Sequence, residues 1–224
     1  EISECLVGSE MCIRDRDIIK RIEKKTGIRI EIIDGQEEAG IIYNNHLEYM
    51  EDRKGNYIYV DVGGGSTEIN FLSKGELMCS RSYNIGTVRI LNNAVKDTEW
   101  DRLRLDMEEL SRSYPQINII GSGGNINKLY RLIEKKDKKL KRMSVASLHH
   151  LHDALKALSV EERMEQYSLK PDRADVIVPA GDIFLTIADI LHSTYIYVPI
   201  IGLSDGIIDC LYPVSYTHLT LPTT

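Results

Sequence analysis

Asp61-Val62-Gly63-Gly64-Gly65-Ser66-Thr67-Glu68 places two carboxylates seven positions apart around three consecutive glycines and two hydroxyls. The run Tyr57-Ile58-Tyr59-Val60 leads into it, and apolar alternation resumes at Ile69 and Phe71, so residues 57–73 read as a β-hairpin whose tip is nearly all backbone. Without Cβ atoms at 63–65, main-chain N–H groups can converge on an oxyanion and form a phosphate nest. On this reading the backbone of Gly63, Gly64 and Gly65 binds phosphate oxygens, while Asp61 and Glu68 hold a divalent cation directly or through water. A tight turn with polar flanks is the plain alternative, but a turn needs one glycine, and three cost backbone entropy.

The charge balance sharpens the point. The 224 residues carry a net charge of −6, so a phosphate ligand meets an acidic protein. Two like unit charges about 4 Å apart repel by roughly 4 kcal/mol at an effective dielectric near 20. A phosphate site beside carboxylates therefore calls for a metal ion, here Mg²⁺. The same negative balance argues against a nucleic-acid or membrane-surface partner, and no apolar run approaches a membrane span. Cys5, Cys12, Cys79 and Cys210 lack metal-ligand spacing, which reads as reduced thiols in a cytoplasmic protein.

Two further stretches could do chemistry. Ile119-Ile120-Gly121-Ser122-Gly123-Gly124-Asn125 is a strand running into a glycine loop at a helix start, where free N–H groups and the dipole favour an anion. Such a loop serves equally to let a helix pack close to a sheet. Glu37-Glu38, after the Asp34-Gly35 turn, is either solvated acid at a helix start or a general base acting on water, and spacing alone leaves both open.

The elements that must position these residues follow from the pattern. Asp17 to Gly27 reads as a helix, residues 28–33 as a strand, and Gln36 onward as helix, ending in a polar connector through residue 56. After the hairpin, Lys74-Gly75 turns into a third strand, Glu76 to Ser82, which completes a meander. Helices are expected from Gly86-Thr87, over about 98–112, and after Gly124, with a strand at Ile117 to Ile120. Parallel strands need helical crossovers, so this order predicts a mixed sheet flanked by helices. Residues 144–192 read as helical, with a Ser159/Glu162 capping box and a kink or break near Pro179 inside a long apolar helix over 173–192. Tyr195 to Val198 reads as a short strand and Gly202 to Leu211 as a closing helix. Lys135 to Arg142, the only low-complexity stretch, reads as a solvated loop or a steering patch.

DVGGGSTE at 61–68, IDGQEEAG at 33–40, GSGGN at 121–125, DRADVIVPAG at 172–181 and IGLSDGII at 201–208 resemble, in this order, the exopolyphosphatase / guanosine-pentaphosphate phosphohydrolase family. The resemblance covers about 17–212. It implies the ribonuclease-H-like α/β fold of the actin-like ATPase and sugar-kinase superfold, with one nearly complete domain and the remnant of a first. It further implies Glu38 as the base that activates water, Asp61 and Glu68 as organisers of Mg²⁺ and of the attacked phosphate, Asp61 among the phosphate-binding residues, Gly63, Gly64, Gly65 and Ser66 as binders of the phosphate oxygens, and Gly121, Gly123 and Gly124 as a second phosphate loop. Arg173 would face the cleft or pair with Asp172 or Asp175.

The implied ligands are inorganic polyphosphate or guanosine pentaphosphate, and a homodimer is the expected assembly. The family's opening phosphate loop, Asp-x-Gly-Ser-Asn-Ser, has no match here, and Gly40 stands where the pattern carries an arginine-like residue. The expected organisation is therefore non-native tails at 1–16 and 213–224, a first-domain remnant over 17–55, and a second domain over 56–212. On this reading the truncated chain is weak or inactive as a hydrolase. A small-molecule kinase of the same superfold and a non-catalytic phosphate-binding module are the rival readings.

Overall fold

A computed structural model describes residues 17–29 and 54–199. Glu37, Glu38, residues 30–33 of the expected strand, the 202–211 helix, both tails, and Cys5, Cys12 and Cys210 lie outside the described residues. The chain divides between Asp34 and Gly35 into two compact units. In the first, residues 17–26 form a helix that ends at Gly27, whose N–H makes the last helical bond to Glu23 O at 2.8 Å and whose φ of +72° turns the chain out of the helix.

The second unit holds a six-stranded mixed sheet, β1 (Asn56–Val62), β2 (Thr67–Ser73), β3 (Glu76–Tyr83), β4 (Ile117–Ser122), β5 (Arg142–Ser144) and β6 (Tyr195–Tyr197), in the order β3-β2-β1-β4-β6-β5. The first three form the expected antiparallel meander, and β4 and β6 join β1 in parallel. Lys74 and Gly75 both take positive φ, the geometry of a two-residue hairpin turn that follows strand twist.

The strands alternate cleanly. Ile58, Val60, Val62, Ile69, Phe71 and Ile119 point into the main core, while Tyr57, Tyr59, Leu72, Ile120 and Tyr197 form a smaller cluster on the other face. Helices α1 (Thr87–Leu91), α2 (Asp97–Ser113), α3 (Gly124–Leu132), α4 (Val145–Lys156), α5 (Val160–Tyr167), α6 (Pro171–Ala174) and α7 (Ile177–Ile190) complete this unit among the described residues. Helix α7 is its axis: it packs on α1, α2, α3 and α4 and buries Ile177, Ile183, Phe184 and Ile187 completely. Ser159 and Glu162 form the expected reciprocal cap of α5.

Two expectations need correction. Of the kink or break expected in the apolar run over 173–192, the break forms, but it falls after Ala174 rather than at Pro179, which sits in the first turn of α7, where its missing N–H would have had no helical acceptor. The Lys135–Arg142 stretch is also not wholly loop, because Arg142 opens β5 and pairs with Tyr197.

Candidate phosphate site

Cross-strand register assembles a polar row at one edge of the sheet. Asp61 lies opposite Glu68 on β2 and Ser122 on β4, and Glu68 lies opposite Ser82 on β3. Ser82 Oγ donates to Glu68 Oε1 at 2.8 Å, and Ser122 donates to Asp61. Packing around Asp61 disfavours its charge, Glu68 opposes it further, and the Ser122 bond offsets part of this; the net effect raises the Asp61 pKa above the usual carboxylate range. Asp61 is nonetheless solvent-accessible, with its crowding on the side of Gly123: a Cβ there would stand 2.7 Å from Asp61 Oδ1. Two facing carboxylates whose mutual repulsion is not neutralised fit a divalent cation. No group of three or more His, Cys, Asp or Glu suited to a metal exists among the described residues, so Mg²⁺ on Asp61 and Glu68 would complete its shell from water and ligand oxygens.

The hairpin tip is built by an exchange of backbone bonds. Helix α1 starts with uncapped N–H groups, and the glycine carbonyls satisfy them: Thr87 N donates to Gly63 O at 3.0 Å and Val88 N to Gly64 O at 2.9 Å. Arg89 Nε takes the Gly65 carbonyl at 2.7 Å. In a trans peptide the N–H points opposite to its carbonyl, and no cis peptide is present. The N–H groups of Gly64, Gly65 and Ser66 therefore face away from α1, and none has an acceptor among the described residues. Gly63 differs from its neighbours, since its N–H closes the turn onto Ser66 O at 2.9 Å and is unavailable to a ligand. Beneath the tip, buried Thr67 anchors it through Oγ1 to Ile85 O at 2.6 Å.

The three glycines are not there for backbone strain. None has a left-handed φ; a Cβ would crowd Ser66 O at 3.3 Å (Gly63) and Val88 Cγ2 at 3.2 Å (Gly64), but would stand clear at Gly65, 4.0 Å from Arg89 Nε. The glycine that the packing does require is Gly86, where a Cβ would fall 2.4 Å from Gly64 O. Sequence reasoning registered Gly86 only as a helix start and missed Arg89, Ser82 and Ser122.

The second loop splits into two roles. Gly121 is buried, and its missing Cβ makes room for Ile126 Cγ1 at 2.8 Å and Phe184 at 3.1 Å, so it lets helix and sheet approach rather than face a ligand. Gly123, with φ of +95°, turns the chain into α3, whose N-terminus has no side-chain cap. Arg173 arrives from α6: its Nη2 would stand 2.7 Å from a Cβ on Gly124, and its Nη1 donates to Asn125 Oδ1 at 2.8 Å. The expected pairs with Asp172 or Asp175 do not form among the described residues. The Arg173 guanidinium lies beside the positive N-terminal end of α3, and Asp61 presents its carboxylate to that end at Gly123. A separate cavity of about 230 Å³ opens at the far end of β4, around Gln116, Asn118 and His192.

Comparison with known proteins decides what this edge belongs to. The profile of the Ppx/GppA phosphatase family matches residues 12–213. The chain belongs to that family. A solved Aquifex aeolicus Ppx/GppA protein superposes with a TM-score of 0.68 at 25% identity, covering 88% of this chain and 68% of that one. The guanosine-5'-triphosphate,3'-diphosphate pyrophosphatase of Aeromonas salmonicida (strain A449) is 24% identical over 79% of this chain and 38% of its own length. Exopolyphosphatase 2 of Mycobacterium tuberculosis (strain ATCC 25618 / H37Rv) is 26% identical over 67% of this chain and 53% of its own length. This chain thus spans about half or less of these two relatives. The mixed sheet flanked by helices is the fold its solved relatives share, and no described helix is long and apolar enough to cross a membrane.

Proposed function

We propose that this chain carries the phosphate-binding edge of an enzyme that hydrolyses the terminal phosphoanhydride bond of inorganic polyphosphate or guanosine pentaphosphate. The observation that carries the reading is the tip of the β1–β2 hairpin. Three successive N–H groups, of Gly64, Gly65 and Ser66, have no acceptor among the described residues, and Gly65 at their centre is demanded by neither φ nor packing, beside two carboxylates. What excludes a side chain from 65 is then a ligand that must approach the backbone closely.

In this proposal Gly64, Gly65 and Ser66 donate to the oxygens of the terminal phosphoryl group, while Gly123, Gly124 and Arg173 receive the next phosphate at the start of α3. Mg²⁺ held between Asp61 and Glu68 supplies charge neutralisation when bound. Glu38 takes a proton from water, whose oxygen attacks the terminal phosphorus. The bridging P–O bond breaks, and the shortened chain departs with the electron pair. A positioned base of this kind contributes typically ~10²–10⁴ in rate, and alignment with electrostatic stabilisation supplies most of the rest.

The test is orthophosphate release from tripolyphosphate and guanosine pentaphosphate with water as the only acceptor. It is run on this chain and on a version carrying the first-domain strands of a family member at its N-terminus. Mg²⁺-dependent release that Glu38→Gln abolishes is the expected result. Full activity in Glu38→Gln rejects that residue as the base. Transfer only to an added hydroxyl acceptor identifies a kinase, and tight binding without turnover identifies a binding module.

A further inference from the structure

The lysine-rich stretch between α3 and β5 is a built turn. Asp137 and Arg142 exchange both backbone bonds at 3.0 Å, and Asp137 Oδ1 accepts the N–H groups of Lys139 and Leu140 at 3.0 Å each. Lys136 Nζ fastens the turn to the end of α3 by bonding Tyr130 O and Arg131 O at 2.8 Å. The one carboxylate inside the turn is thereby occupied. Lys138 and Lys139 are exposed and Lys141 half-buried, and none has an ion-pair partner among the described residues.

Topology puts this turn at the phosphate edge. Strand β6 runs parallel to β4, and β5 runs antiparallel to β6, with Arg142 opposite Tyr197 and Tyr197 opposite Ile120. The turn before Arg142 consequently lies past the carboxyl end of β6, on the same sheet edge as Asp61 and Ser122 at the ends of β1 and β4. At about 4.8 Å per strand, β5 is roughly 10 Å from β4 and roughly 14 Å from β1. The aromatic rings around the turn already carry cations: Lys136 lies 5.0 Å from the Tyr130 ring, and Arg142 lies 4.3 Å from Tyr195 and 5.8 Å from Tyr197. The turn offers charge without a platform for a nucleobase.

Resting on the hydrolase reading above, we propose that Lys138, Lys139 and Lys141 hold the trailing phosphates of an inorganic phosphate chain whose end occupies the glycine hairpin. The preferred ligand is then an extended polyphosphate rather than a nucleotide. The grip is ionic, so it weakens with salt.

The experiment is calorimetric titration of the full chain with tripolyphosphate, long-chain polyphosphate and GTP, each in Mg²⁺ at low and moderate salt. Lys138→Ala/Lys139→Ala leaves the melting temperature unchanged because both side chains are exposed. It weakens long-chain binding roughly tenfold, the sum of two exposed charge contacts, and leaves tripolyphosphate and GTP within about twofold. Unchanged long-chain affinity, or an equal loss for all three ligands, overturns the proposal. Gly65→Ala separates the two ideas. If Gly65→Ala leaves the affinity for all three ligands undiminished while long-chain preference vanishes in the lysine variant, the turn stands and the hairpin reading fails. If binding is independent of length and Gly65→Ala removes it, the hairpin stands and the turn is overturned.

Discussion

Replacing Gly65 by alanine asks whether that glycine serves the fold or the ligand. An added Cβ meets nothing nearer than Arg89 Nε at 4.0 Å, and the residue does not use a left-handed φ. The folded state therefore accepts alanine, while the unfolded chain loses freedom, which stabilises by about 0.4–1 kcal/mol. For a domain of this size each kcal/mol shifts the melting temperature by roughly 2–4 °C, so Gly65→Ala should melt about 1–4 °C higher. Ligand binding should move the other way. On the ligand reading the methyl group keeps a phosphate from closing on the backbone at 65, and losing one bond to a charged acceptor costs about 1.5–3 kcal/mol, roughly a tenfold to hundredfold loss of affinity. Thermal melting and calorimetry with tripolyphosphate in Mg²⁺ measure both. A more stable variant with undiminished affinity refutes the idea that these glycines are reserved for a ligand.

Other substitutions probe the supporting structure. Gly86→Ala should do the opposite to stability: its Cβ would lie 2.4–2.5 Å from the backbone of Gly64 and Gly65. It forces the tip off α1 at a cost of about 1–3 kcal/mol, visible as a lower melting temperature together with weaker phosphate binding. The raised Asp61 pKa means that ionised Asp61 opposes folding. The sign follows from linkage: its contribution is most favourable below the unfolded carboxylate pKa and is lost as pH rises through the higher folded value. Asp61→Asn should accordingly raise the melting temperature at neutral pH, by a few tenths to about 1 kcal/mol for relief of a like-charge cross-strand pair, and should erase the stabilisation by Mg²⁺ seen on comparing melts with and without EDTA. Ser159→Ala removes a reciprocal helix cap and should cost about 1 kcal/mol in a denaturant melt without touching phosphate affinity.

Local chemistry was the legible part of this chain. The hairpin at 57–73, the Lys74-Gly75 turn and the Ser159/Glu162 cap depend on residues within a few positions of each other, and each forms as expected. The mixed sheet also followed, because strand-helix-strand order forces parallel pairing. What stayed hidden depends on distant contacts. Arg173 reaches Asn125 across 48 positions, and Gly86 seats a loop twenty-odd residues upstream, so neither role has a local signal. Strand β5 escaped because three residues at the end of a lysine run show no alternation, and an edge strand tolerates charge. Pro179 misled because helix boundaries are set by where a segment packs, and α7 begins only two residues before it. Gly121 and Gly123 share one motif and yet face a core and a carboxylate respectively.

The most direct measurement is a ¹⁵N-resolved NMR titration of the chain with orthophosphate in Mg²⁺, following backbone amides one by one. Large, saturable shifts are predicted for Gly64, Gly65 and Ser66, with little change at Gly63, whose N–H already closes the turn at 2.9 Å. Shifts absent from 64–66, or confined to other parts of the sheet edge, would contradict a ligand-reserved hairpin tip.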